Sequence, residues 1–214
     1  MKRLITILVA TMFAFSGSLF AQNLITNGGF EMGAPGGVGF GGMTGWAPVN
    51  ETTAHYNSGA AYTFLDDGSY SYQIAVSGPH SGNYMADFGS VGMATGIKQT
   101  IATTTGGTYD VSFWLANDDG ANPQKGSFTS ILVTFGSATL INTNTQPEFG
   151  WTFYDYLVTA SGPSSTLMFD IQQDPSYYYL DDVSVNQVPE PASLALLCSG
   201  LGMGAGFIRK KFRS

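Results

Sequence analysis

Tyr109-Asp110-Val111-Ser112-Phe113-Trp114-Leu115 is the stretch that decides the fold. Successive side chains of an extended strand point to opposite faces. Tyr109, Val111, Phe113 and Leu115 therefore share one apolar face, while Asp110, Ser112 and Trp114 share the other. The same period of two recurs further along the chain. Ile131, Val133 and Phe135 form the inward set of one run, and Leu167, Phe169 and Ile171 alternate with Met168, Asp170 and Gln172 in another. Turn formers separate the runs: Gly106-Gly107, Asn117-Asp118-Asp119-Gly120, Ser161-Gly162-Pro163 and Asp174-Pro175. Many short strands punctuated in this way make a sandwich or a barrel, so the fold class is all-β. The glycine-dense segment from Gly28 to Gly45 reads as a long loop, or as backbone that must come close to a ligand.

Charge narrows the partners. The chain has 214 residues, with eight Lys and Arg against fifteen Asp and Glu. Outside the two ends only Lys98 and Lys125 are basic, whereas every acid except Glu190 lies in the middle. Binding a phosphate backbone needs clustered Lys and Arg, so nucleic acid is excluded as a partner, and so is an anionic lipid surface. Acidity on this scale suits solubility, a calcium-rich exterior or neutral polymers. The single cysteine, Cys198, lies near the end of the chain, which leaves the middle without a disulfide or thiol chemistry. Residues 22–187 suffice for one domain with a real core.

The ends read as addresses. Lys2 and Arg3, an apolar run from Leu4 to Phe15 and the small residue Ala21 have the layout of a secretory signal peptide over residues 1–21. The apolar run is too short to span a membrane, which takes about 20 residues. At the other end, Pro189-Glu190-Pro191 is followed by an apolar stretch from Ala192 to Ile208 and a basic tail over 209–213. That stretch is near the lower limit of a membrane-spanning helix, and its basic end belongs on the cytoplasmic side. In this order and spacing the three parts resemble the PEP-CTERM sorting signal of Gram-negative bacteria, here over residues 188–214. The resemblance implies recognition by an exosortase. It also implies a precursor held in the inner membrane by its C-terminal helix, and final delivery to the cell surface or extracellular matrix.

Four segments of the middle carry a second resemblance. They are Asn23-Leu24-Ile25-Thr26-Asn27-Gly28-Gly29-Phe30-Glu31 with Trp46 beyond a glycine-rich gap; His80-Ser81-Gly82-Asn83-Tyr84; Ile97-Lys98-Gln99-Thr100-Ile101 leading to Tyr109–Trp114; and Tyr179-Leu180-Asp181-Asp182-Val183-Ser184-Val185. This order is similar to the galactose-binding-like jelly rolls, above all the cellulose- and xylan-binding modules. The resemblance implies a β-sandwich jelly roll and a structural Ca²⁺ tying the first strand to the last. Glu31 with Asp181 or Asp182 would hold that ion; neighbours on a strand face opposite ways, so only one of the two aspartates would be a main side-chain ligand, with Asp182 favoured. The other reading is that these acids cap strand ends in solvent. The resemblance further implies a polysaccharide partner met by aromatic faces. Trp114 is the leading platform, with Trp46, Trp151 and Tyr178 (in the run Tyr177–Tyr179) as the other candidates; each could instead fill a core.

No catalytic constellation is legible. His55 and His80 lack a metal-binding spacing, and no nucleophile elbow or free thiol is present. The acid pairs Asp66-Asp67, Asp118-Asp119 and Asp181-Asp182 are sequence neighbours rather than groups facing one another across a cleft. A pair assembled from distant loops, such as Glu51 with Asp155, stays open. The expectation is thus a non-enzymatic, exported surface protein whose jelly roll contacts polysaccharide. The alternatives are a structural or adhesive protein without a sugar site, and a glycoside-processing enzyme.

Overall fold

The 109–115 stretch forms the middle of a long strand, and its two faces differ as the alternation requires. Tyr109, Val111, Phe113 and Leu115 are buried, while Asp110, Ser112 and Trp114 are only partly covered. The computed structural model describes residues 22–33, 43–50, 63–68, 76–118, 128–144, 146–174 and 176–189. Residues 1–21, where a signal peptide is expected, and the residues from Glu190 onward, with Pro191 and Cys198, lie outside the described residues, as do Glu51, His55, Asp119 and Lys125.

Among the described residues there are ten strands and no helix. In chain order they are β1 (Ala47–Val49), β2 (Thr63–Asp66), β3 (Met85–Phe88), β4 (Thr95–Ala102), β5 (Thr108–Asp118), β6 (Phe128–Phe135), β7 (Ala138–Thr143), β8 (Phe149–Thr159), β9 (Ser164–Asp174) and β10 (Tyr177–Gln187). They form two five-stranded sheets, ordered β1-β4-β9-β6-β7 and β2-β3-β10-β5-β8, with every pairing antiparallel. The apolar faces of the two sheets meet to form a β-sandwich. Ile97, Ile131, Val133, Leu167, Phe169 and Ile171 from one sheet pack on Val111, Phe113, Leu115, Leu180 and Val185 from the other. Phe113 meets Phe169 edge to face across the interior, with ring centroids 5.1 Å apart, in the geometry aromatic pairs favour.

One irregularity places the rest of the argument. Along β10 the core positions are Tyr178 and Leu180, then Val183 and Val185. The register with β5 shifts between Asp181 and Ser184, and Asp182 has φ +50°. An extra residue in one strand of an antiparallel pair is a β-bulge, and it switches which parity faces inward. The expectation that Asp181 and Asp182 must point to opposite sides fails for this reason, and both carboxylates reach the same turn.

The chain before β1 is pinned at both ends of the glycine-rich segment. Leu24 N donates to Val185 O and Val183 N donates to Gly28 O, so residues 24–28 lie along β10. A Cβ on Gly28 would run into the Val183 carbonyl, which is why this position has none. Asn27 adopts φ +57° and closes the loop. Its amide donates to Met32 O and Thr44 O, its side-chain oxygen accepts from Met32 N, and its backbone carbonyl accepts from Trp46 Nε1 at 3.0 Å.

Candidate functional site

Two neighbouring regions collect the chemistry-bearing residues. The first is the seam where the opening segment meets β10. The turn 80–84 lies between them, and three carboxylates take its donors. Glu31 Oε1 accepts from Asn83 N (2.6 Å) and Tyr84 N (3.0 Å), and Oε2 accepts from Asn83 Nδ2 (3.0 Å). Asp181 accepts from Ser81 N (3.0 Å) and from Asp182 N (2.7 Å). Asp182 accepts from Ser81 Oγ (2.7 Å) and is paired with His80 Nδ1 at 2.6 Å. Gly82, at φ +63°, has no Cβ to strike the Glu31 carboxylate and adopts that φ freely.

The pKa directions follow from this wiring. Burial raises the Glu31 carboxyl, but the Asn83 and Tyr84 donors outweigh it and the net shift is downward. Asp181 is fully buried, and burial pushes its carboxyl up to about 7 against the lowering effect of its backbone donors.

This wiring is also the test of the calcium that the resemblance implies. A Ca²⁺ site needs six to eight oxygens directed at one point. Here each of the three carboxylates turns to different donors of the 80–84 turn, and all of their oxygens accept a hydrogen bond. Among the described residues no three Asp, Glu, His or Cys side chains are grouped to hold a metal ion. The arrangement does not fit a carboxylate-caged calcium at Glu31, Asp181 and Asp182. It fits a seam closed by N–H and O–H donors.

The second region is the outer face of β5 and β8. His80 lies flat on Trp114, with centroids 3.8 Å apart and planes 17° from parallel, and meets the edge of Trp151 at 5.7 Å. Trp151 Nε1 donates to Gly78 O and fixes the start of the same turn. One ring face of Trp114 is therefore covered, and its other neighbour is Phe153 at 5.3 Å. Phe153 is 52% exposed and Leu157 73% exposed, both on β8, with the exposed Asp155 between them. Register places Ser112 opposite Asp155 on one side and Ser184 on the other, and Asp110 between Leu157 and Asn186. The Asp110 carboxyl is raised by burial, then by a hydrogen bond to Asp155 and its charge. The carboxylate beside Asp155 is Asp110; Glu51 lies outside the described residues.

Two candidate platforms are corrected. Trp46 is 6% exposed, stacked on Phe30 at 5.6 Å and set against Phe169, so it belongs to the core. Tyr178 is 0% exposed, with its ring packed near Phe149, so it offers no surface for a ligand. Trp114 and Trp151 share one site, built around His80. Sequence reasoning missed Phe153, whose exposure only β8 as a strand makes visible, and it missed the stacking role of His80.

A third group sits under a small second core of Val76, Met85, Ala116 and Tyr179. Asp66, Asp87 and Asp118 are buried there. Burial raises the Asp87 carboxyl well above its ordinary range, and Asp66 and Asp118 raise it further. Asp87 Oδ1 and the Tyr179 hydroxyl are buried without a hydrogen-bond partner. Burial and these three carboxylates also raise the Tyr179 phenol.

Comparison with known proteins bears on the fold. No family model matches the chain, and no curated protein matches it. Among solved structures, the Stig cyclase Fisc from Fischerella sp. TAU, in complex with a pyrrolidinylidene-indole, is 14% identical with a TM-score of 0.57 and covers 80% of this chain and 100% of its own. An apo cyclase from Fischerella sp. is 15% identical with a TM-score of 0.55, covering 79% of this chain and 97% of its own. A family 16 carbohydrate-binding module is 18% identical with a TM-score of 0.45, covering 76% and 99%. At these identities the cyclases share the fold with this chain, and nothing about its activity follows from them.

Proposed function

We propose that this chain is a non-catalytic surface or matrix protein whose jelly-roll domain contacts polysaccharide through the outer face of β5 and β8. One observation carries the reading: half-exposed Phe153, buttressed by Trp114, stands on the same open sheet face as Asp155, Ser112, Asp110, Ser184 and Asn186. A sugar ring presents C–H bonds to an aromatic ring and hydroxyls to its flanks. An aromatic ledge beside carboxylate, hydroxyl and amide groups supplies both kinds of contact. The open groove on the other sheet, lined by Ala94, Ser130, Leu132, Asn142 and Asp170 among others, has no aromatic side chain in its lining. Glycan-array binding of the full chain tests the reading. Phe153→Ala should remove the signal with the melting temperature kept. An array with no binder leaves the structural or adhesive alternative.

The two ends support export and sorting. The 1–21 segment supports secretion, and Pro189-Glu190-Pro191 with its apolar and basic sequel supports recognition by an exosortase, an inner-membrane precursor and delivery to the surface or matrix. Cell fractionation of strains with and without the exosortase tests this: loss of the enzyme should hold the protein in the membrane fraction.

A second reading, an enzyme, draws on the group around Asp87. A carboxyl whose pKa burial raises, next to an unpartnered phenol, resembles a general acid in its chemistry. Release of reducing sugar from a polysaccharide panel, abolished by Asp87→Asn, would replace the binding reading with this one.

A further inference from the structure

On the outer face of β5 and β8 the two sides of the patch differ in what they ask of a ligand. Phe153 and Leu157 flank Asp155 at alternate positions of one strand, about 7 Å to either side. Asp110 lies diagonally across on β5 and hydrogen-bonds Asp155, so two carboxyl groups meet on this part of the sheet face. Two such groups side by side favour an uptake of positive charge. The sheet itself offers none. Among the described residues the one Lys or Arg is Lys98, on β4 of the opposite sheet, and His80 at the far end of the patch is engaged with Asp182.

Resting on the polysaccharide reading above, we propose that the ligand is a polymer of amino sugars carrying free amines, such as a de-N-acetylated glucosamine chain, rather than a neutral or acidic glycan. Its ammonium groups meet Asp155 and Asp110 while its rings lie on Phe153 and Leu157. An ammonium has three donors and no acceptor, which suits two carboxylates. The same ion at the rim of Phe153 is favoured by the ring's π face. Uronate or sulfated chains would bring like charge against Asp110 and Asp155 and are disfavoured. Ser112, Ser184 and Asn186 on the neighbouring strands remain for the hydroxyls.

The test measures the affinity of the full chain for three oligomers of equal length: glucosamine, N-acetylglucosamine and cellulose-type glucose, with poly-lysine as a charge control. The expected result is binding to the glucosamine oligomer at least about ten-fold tighter than to either neutral oligomer. Asp155→Asn, an exposed isosteric change, should bring it down to the neutral level. Equal binding of all three oligomers, unaffected by Asp155→Asn, would overturn the amine preference and leave polysaccharide binding standing. Poly-lysine bound as tightly as the glucosamine oligomer would also overturn it, as general acidity would then suffice. Binding to none of them would overturn the amine preference, while the polysaccharide reading falls only with a glycan array that shows no binder.

Discussion

The seam and the β5–β8 face are neighbours that use carboxylates in opposite ways. At the seam, Glu31, Asp181 and Asp182 take backbone and side-chain donors from one turn, and no carboxylate oxygen is left without one. On the sheet face, Asp110 and Asp155 have each other; Asp110 Oδ1 is buried without a partner, and Asp155 is the exposed member of the pair. Satisfied acids close a structure; acids left facing one another, beside exposed apolar side chains, are available to something else. The aromatic residues divide likewise. Trp46 is spent on the core beside the seam, and Phe153 stands in solvent.

The largest effect that tests this division is on Trp46. Its truncation to alanine should cost about 3–5 kcal/mol, as for other large core aromatics. It should leave glycan affinity unchanged in the fraction that remains folded. A Trp46→Ala protein that melts normally but loses glycan binding would exchange the roles assigned to the two regions. Next comes Glu31→Ala, which strips the acceptors from Asn83 N and Tyr84 N. These bonds are exposed, so the freed donors turn to water and the loss is the net worth of the bonds, about 0.5–1.5 kcal/mol, read as a lower denaturant midpoint with an unchanged slope.

The pH dependence has a definite sign. The folded-state pKa of Asp181 is raised to about 7, above the unfolded value near 4. The folded chain therefore holds a proton that the unfolded chain releases. That contribution to stability is full below pH about 4 and is lost as pH rises toward about 7. The raised Asp87 and Asp110 carboxyls act in the same direction. Thermal melts should show a midpoint that declines across this window, with a shallower decline in Asp181→Asn. A midpoint that climbs across it would contradict the burial of these groups.

Much of the fold was legible because it rests on alternation. The inward residues of β5, β6 and β9 are those that the period of two picks out, since half-buried strands sort side chains by parity. β8 escaped that reading. It is an edge strand with Tyr154 and Tyr156 facing the core and Phe153 and Leu157 facing out, so both faces carry large apolar groups and no contrast shows. The bulge in β10 escaped as well, because Asp181-Asp182-Val183 reads as ordinary alternation until φ +50° at Asp182 breaks it. The acid trio around Asp87 was hidden for a third reason. Asp66, Asp87 and Asp118 come from three strands, and only sheet order brings them together. Phe153→Ala sharpens this contrast. An exposed position should change stability by no more than about 0.5 kcal/mol, while the proposed sugar contact disappears.

The smallest expected effect is that of a chelator. The resemblance of the opening and closing segments to calcium-tied jelly rolls predicts a drop in melting temperature on metal removal. The geometry predicts none. For calcium to enter, Glu31 would have to give up Asn83 and Tyr84, and Asp182 would have to give up His80 and Ser81. Each exchange loses charge-assisted hydrogen bonds of roughly twice the neutral strength. The ion would also need further oxygens in place of the donors that now fill the seam. Melting with added Ca²⁺ and with excess chelator should therefore coincide, and Asp182→Asn should lower both curves equally. A gap between the curves that closes in Asp182→Asn would show that the donors yield to the metal, and the seam would then be a calcium site after all.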